Sequence, residues 1–285
     1  SAQLSIGVAQ QLGSRWTASA DYVRYRVHHN WIKYDQNEVF NPATGYPQTT
    51  GTATTSANPA FTTITRYDTP QWISAYYDGL LVSVRRAYTN GFTLAASYTL
   101  ARLKDNGESF SYALNNQFNA KDEWGPGVGD QRNTFNINGL YQMRWGFQAG
   151  GLLHFGSGAA TYVAAGSSPF YNSPYSNRTY LATVKTYNNP KLDYASSAPG
   201  YNLVARDSLY GQPVYRLDIQ LQKTFSFAHS RYRLIPIAQM FNTTNHPNYG
   251  SYNNDITQSS YGSPAASTDL AYAPREGQLA IRFEF

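Results

Sequence analysis

The sequence predicts an all-β protein, an antiparallel transmembrane β-barrel with short turns at one end and long loops at the other. Three observations lead there. Charged residues are only 14% of the 285, against about 25% in an average soluble domain, while aromatics reach 15% and 25 residues are tyrosine. Apolar and polar residues alternate with a period of two along several segments, which puts them on opposite faces of a strand. The gaps between those segments run short, long, short, long, as in outer-membrane barrels with tight periplasmic turns and large external loops. A soluble sandwich has no reason to alternate its loops in this way.

The first two strands are QLSIGVAQ (3–10) and WTASADYVRYRV (16–27), joined by the short link LGSR (12–15). After a long gap comes GLLVSVRR (79–86), with Leu80, Val82 and Val84 on one side. TNG (89–91) is a tight turn with glycine in its expected role. It leads into FTLAASYTLA (92–101), where Phe92, Leu94, Ala96, Tyr98 and Leu100 oppose Thr93, Ala95, Ser97 and Thr99. A second long gap precedes NTFNINGLYQM (133–143), and the short RWG (144–146) precedes FQAGGLLHF (147–155), which is glycine-rich and alternates weakly.

A third long gap ends at VYRLDIQLQKTF (214–225), where Tyr215, Leu217, Ile219 and Leu221 oppose Arg216, Asp218, Gln220 and Gln222. SFAHS (226–230) is short. RYRLIPIAQMF (231–241) holds Pro236, which cannot donate to a ladder, so a bulge or an edge is expected there. The ninth strand is REGQLAIRFEF (275–285). In a barrel the apolar face meets lipid. Leu217, Ile219, Leu279, Ile281 and Phe283 are therefore expected outward, and Arg216, Asp218, Arg282 and Glu284 inward.

Nine is odd, whereas single-chain bacterial barrels usually have an even number of strands. Either WIKYDQ (31–36) hides a tenth strand, or the nine belong to a larger barrel. The sequence enters a patterned strand almost at once, which favours the larger barrel.

Several function classes are excluded or unsupported. The net charge is +5, but 22 Lys and Arg are spread without a block of five or six, so nucleic-acid binding is not expected. There is no cysteine and hence no thiolate chemistry. Asp105, Glu108, Asp122, Glu123 and Asp130 offer oxygen ligands for calcium, but their spacing does not match the twelve-residue calcium loop. His28, His29, His154, His229 and His246 fall in different segments, and no HExxH, GxSxG or phosphate loop is present. No catalytic constellation, resident metal or cofactor is expected. The loops at 41–60, 167–180 and 245–262 are rich in Asn, Ser, Pro, Gly and Tyr. They are long enough for binding roles and are expected together at one end.

Four blocks in order resemble a known family: TNGFTLAASYTLARLKDNGES, WGPGVGDQRNTFNINGLYQM, AQMFNTTNHPNYG and REGQLAIRFEF. They carry an Asn90-Gly91 turn before Ala96-Ser97-Tyr98-Thr99 and a D-x-R end at Asp130 and Arg132. They also carry an FN-x-x-NHPN-Y-G segment from Phe241 to Gly250 and a final aromatic at Phe285. The chain from about Gly79 onward resembles the C-terminal barrel half of TonB-dependent outer-membrane transporters, most closely the Oar-like group with a carboxypeptidase-regulatory-like domain.

The resemblance implies a bacterial outer-membrane location and a barrel of about 22 strands. Residues 1–285 would be a partial barrel domain, with the plug, the N-terminal domain and the TonB-contacting box outside this chain. It also implies that Phe283 and Phe285 form a recognition signal for the barrel-assembly machinery. The partners implied are outer-membrane lipid, that machinery, the N-terminal barrel and plug portion, and the TonB complex through that portion. The expected function is import of a nutrient such as a glycan, peptide or metal chelate. The alternative is a structural or adhesive surface module that self-associates.

Overall fold

The computed structural model describes residues 1–42, 46–47, 58, 60–61, 64–107, 114, 116–163, 180–181, 194–195, 205–227, 231–256, 258–266 and 270–285. Among them lies an 11-stranded antiparallel sheet in which nine strands are long. These are β1 (Ala2–Leu12), β2 (Trp16–His28), β3 (Ser74–Thr89), β4 (Phe92–Asp105) and β5 (Asn133–Gln142). They continue with β6 (Phe147–Gly156), β7 (Val214–Lys223), β8 (Tyr232–Phe241) and β9 (Glu276–Glu284). Each pairs with its neighbour in the chain, so the sheet is a plain meander. Among the described residues β1 pairs only with β2 and β9 only with β8.

Register turns the sequence pattern into two walls. One cross-strand row runs Leu217, Leu153, Ile137, Ala96, Val84, Ala18. The adjacent row runs Arg216, His154, Asn136, Ser97, Ser83, Ser19. Because side chains alternate, the first row lies on an apolar face and the second on a polar face. Among the described residues no second layer covers the apolar face. The fully buried apolar residues sit almost all in the loops, with Ile235 the exception within a long strand. In water such a bare sheet would leave unburied the apolar area that normally drives folding. In hydrocarbon the same surface is at no disadvantage.

The tight turns β1–β2, β3–β4 and β5–β6 lie at one end, where the short connection from β7 to β8 also falls. At β3–β4, Asn90 has φ 54° and Gly91 φ 76°, the double positive φ of a type I′ hairpin. The glycine also lies close to its neighbour, since a Cβ there would come within 3.0 Å of the Gln142 carbonyl.

Two expectations need correction, and the alternative of a tenth strand falls. WIKYDQ is not a tenth wall strand. Ile32–Asp35 pairs with Thr65–Asp68 in a separate two-stranded sheet within the first long connection, where Ile32 packs with Ile73 and Leu114. Pro236 sits neither on an edge nor at a bulge. It pairs with Ile281 in an unbroken β8–β9 register. On its other side the β7–β8 ladder lapses between Gln222–Ile237 and Phe225–Leu234 with no change of register. Proline lacks the N–H a ladder would use there, and across the gap Thr224 N–H turns to the Gly146 carbonyl at 2.9 Å. The strands are also longer than their alternating cores: β3 begins at Ser74 and β4 runs to Asp105, carried past the apolar band by polar residues.

Candidate functional site

The polar face is a continuous hydrogen-bonded surface. Arg216 Nε donates to both oxygens of Asp218, at 2.7 and 2.9 Å, and Asp218 also accepts from the Asn242 backbone N–H at 2.9 Å. The Arg216 guanidinium lies 5.6 Å from the Phe241 ring centre and 5.4 Å from that of Tyr272. His154 meets Tyr272 edge-on at 5.8 Å, with its Nδ1 2.8 Å from Asn136 Oδ1. Nearer the tight turns, glutamines relay across four strands. Gln239 donates to Gln220 at 2.7 Å, Gln220 to Gln222 at 3.3 Å, Gln222 to Gln148 at 2.6 Å and Gln148 to Gln142 at 3.0 Å. A carboxamide both donates and accepts, so the chain of bonds propagates without adding charge.

The opposite face carries the residues singled out from the sequence. Leu217, Ile219, Leu279, Ile281 and Phe283 share it by register, with Leu279 85% and Ile281 74% exposed, and Phe285 follows the last strand as an exposed end. Arg282 and Glu284 take the polar face, where Glu284 lies 3.5 Å from Arg282 and 3.6 Å from Arg233. Aromatics gather at the tight-turn end. Phe283 stacks on Tyr232 and on Phe285, each at 6.1 Å, beside exposed Phe225, Phe227 and Trp145. Lys223 lies 4.2 Å from the Phe147 ring centre and donates to the Trp145 carbonyl.

At the other end the long connections fold into caps. In the second, Asn119 caps the short 3-10 helix Ala120–Glu123, and Gly125–Pro126 extends the sheet beside Lys104 and Asp105. Asp130 Oδ1 accepts from Leu103 N–H at 2.6 Å, which anchors this connection to β4. Buried Arg206, from the third connection, pairs with Asp105 and lies 3.4 Å from Asp207. The fourth is clipped by the FN-x-x-NHPN-Y-G segment. Asn242 Nδ2 donates to the His246 and Ala273 carbonyls, at 3.0 and 3.1 Å, and Asn248 Oδ1 accepts from Tyr215 N–H at 2.7 Å. His246 stacks on Tyr215 at 3.6 Å. Val163, Leu209, Ile256 and Tyr261 form a small core there, and burial pushes the Tyr261 phenol up to about 12.

Between the second, third and fourth connections lies a cleft of about 620 Å³, rimmed by Tyr162, Tyr249 and Tyr252 with Gln131, Gln212 and Asn254. Among the described residues the candidate calcium carboxylates form no group of three or more that could hold a metal. Asp105 faces Arg206, Asp122 and Glu123 bond to Asn116, Asp130 anchors Leu103, and Glu108 lies outside the described residues. The loop at 167–180 and His229 also lie outside them. Sequence reasoning missed Arg206, Tyr261 and the glutamine relay. The relay left a trace as Gln220 and Gln222 on the polar side of one strand.

A two-faced meander with all long connections at one end is the wall of a membrane barrel, and the sequence agrees. Residues 1–278 match the family described as Outer membrane beta barrel domain. This chain belongs to the outer membrane beta barrel domain family. Its place is accordingly the bacterial outer membrane. Among solved structures, the outer membrane transporter YddB from Escherichia coli matches with a TM-score of 0.51 and 15% identity, covering 99% of this chain and 32% of that one. FpvA from P. aeruginosa, solved with a heterologous pyoverdine and iron, matches with a TM-score of 0.50 and 13% identity, covering 98% of this chain and 26% of that one. These likenesses show that the barrel domain shares their fold. The chain spans about a third of the first and about a quarter of the second. No curated protein sequence matches it.

Proposed function

We propose that this chain is the C-terminal part of the barrel wall of a TonB-dependent importer. In this reading the rest of the barrel, a plug and the contact to the TonB complex lie in a further portion of the protein. The observation that carries it is the pair of open sheet edges. β1 and β9 each bond on one side only among the described residues, and in hydrocarbon each unsatisfied backbone group costs several kcal/mol. A wall of nine long strands needs partners on both sides, and the transporter it resembles is about three times its length.

The apolar face then meets lipid through Leu217, Ile219, Leu279 and Ile281, and the glutamine relay lines a wet lumen. Phe283 and Phe285 present the signal read by the barrel-assembly machinery. Ligand enters from the loop end, at the tyrosine-rimmed cleft. The cargo is a nutrient such as a glycan, peptide or metal chelate, and the chain itself carries out no catalytic step.

The test is a cysteine pair, Ile6→Cys with Ile281→Cys, in the protein as it occurs in the membrane. Efficient disulfide formation within one chain would show β1 and β9 closed on each other and would overturn the reading. Cross-links from Ile6→Cys to other segments of the protein support it. The open β1 edge, with Leu4, Ile6 and Val8 bare, also suits a self-associating surface module. In that case the same cysteine would link two copies.

A further inference from the structure

Just beyond the apolar band, at the loop end, the apolar face changes character. Along β4 the side chains on that face run Leu100, Arg102, Lys104. Along β2 they run Tyr22, Arg24, Arg26. Arg24 and Arg26 both engage Asp78, at 3.7 and 2.7 Å. Arg102 and Lys104 are different. With Arg132 they line a pocket of about 400 Å³, together with Leu103, Pro126, Asp130 and Tyr210. Among the described residues no carboxylate lies within ion-pair distance of Arg102, Lys104 or Arg132. The one acid in the lining, Asp130, is engaged by the Leu103 N–H and, at 3.4 Å, by the Tyr210 hydroxyl. Among the described residues the pocket is thus a concave site with three cations, one hydrogen-bonded carboxylate and one phenol, a net positive lining.

Its position decides what such a site would meet. A cationic pocket inside a lumen faces solutes. This one opens on the side of the wall that carries Leu80, Leu100 and Tyr98, directly past the last apolar row at the end where the long connections gather. In an outer-membrane barrel that level is the headgroup layer of the outer leaflet, which in bacteria is built of phosphorylated glycolipid. Phosphate offers several acceptor oxygens, and arginine matches them with a planar fork of donors.

We propose that Arg102, Lys104 and Arg132 form a binding site for the phosphate of an outer-leaflet glycolipid, with Tyr210 as a further hydrogen-bonding group. Arg24 and Arg26, held by Asp78, extend the basic surface along the same rim. The inference rests on the apolar face meeting lipid.

The experiment uses the protein purified from outer membranes in detergent, titrated with bis-phosphorylated lipid A and read by native mass spectrometry. The triple variant R102Q/K104Q/R132Q is expected to bind it about a hundredfold more weakly. Arg15→Gln, in the tight turn at the opposite end, is expected to bind like the parent. The charge-keeping pair R102K/R132K, which loses the planar forks but not the charge, should bind between the parent and the triple variant, a graded loss that a merely misfolded rim would not give. Lipid A stripped of its phosphates should bind the parent as weakly as the triple variant binds the intact lipid. Unchanged affinity in the triple variant overturns the proposal. So does full competition by inorganic phosphate, which would make this a site for free anions. A chain that never enters micelles fails the lipid-facing reading itself, an outcome distinct from a micelle-bound chain indifferent to lipid A.

Discussion

Gln222 donates to Gln148 at 2.6 Å across the β6–β7 ladder, while Leu221, one residue earlier, is exposed on the other face. That one-residue alternation sets the cost of a charge. Ile219→Arg is expected to destabilise the barrel by about 2–4 kcal/mol if the site lies near the bilayer midplane. Gln220→Arg, facing the polar wall, should cost far less. Equilibrium unfolding in lipid vesicles measures both, and equal penalties would contradict a lipid-facing Ile219.

Removing the terminal Phe285, which is exposed and stacked on Phe283, should leave the folded wall intact and slow its delivery. The amount of folded protein in outer-membrane fractions should fall sharply, while the same variant refolds normally in detergent. Normal delivery in cells would remove Phe285 from the assembly signal.

The absence of cysteine makes topology directly readable. Ser251→Cys, in the fourth long connection, should react with an impermeant maleimide on intact cells. Asn90→Cys, in the tight β3–β4 turn, should react only after the outer membrane is opened. The reverse order would invert the barrel.

Arg206 and Asp105 form a buried ion pair that ties the third connection to the end of β4. Leaving one buried charge without its partner costs about 3–5 kcal/mol. Arg206→Ala should therefore loosen the caps, seen as faster hydrogen exchange at Leu103 and Gly127 with little change in the middle of β4. Adding Asp105→Asn should recover part of the loss. No recovery would show that the pair with Asp105 is not what Arg206 contributes.

Burial holds the Tyr261 phenol up to about 12, above the usual value near 10. A group with a raised folded pKa supports folding fully below its unfolded pKa, and that support is lost as pH rises through the folded one. The fourth connection should therefore weaken between about pH 10 and 12. Ultraviolet titration should show a late-ionising phenol that Tyr261→Phe abolishes. An unchanged titration would show Tyr261 to be accessible.

The strands were legible because each side chain reports its own face: Leu217, Ile219 and Leu221 against Arg216, Asp218 and Gln220 need no distant partner to be read. The tight turns were legible for the same local reason, as at Asn90-Gly91. The ends of β3 and β4 were not, because past the apolar band the pattern inverts: Arg102 and Lys104 take the face that is apolar along the rest of β4, with Leu103 on the other. Pro236 misled because proline constrains only one of a strand's two ladders. The β8–β9 side kept its register while the β7 side carried the gap. The caps were hidden for a different reason. Ile32, Ile73 and Leu114 are lone apolar residues in polar connections, and only long-range folding brings them together. The FN-x-x-NHPN-Y-G block was recognisable as a pattern, but its work as a clip between β7, β8 and β9 depends on Asn242 and Asn248 reaching backbone groups about 30 residues away.

The meander has one more consequence, for how such a wall can be built and altered. Among the described residues the long strands bond to one another only in chain order, each to the long strand just before or after it, and the tight turns fix each two-strand unit locally. A hairpin can thus join the growing edge without unpairing what is already there, and closing its short loop carries little entropic cost. For the same reason a lineage can widen or narrow the barrel by duplicating or deleting whole hairpins. Such a change shifts the circumference by two strands and leaves every remaining register as it was.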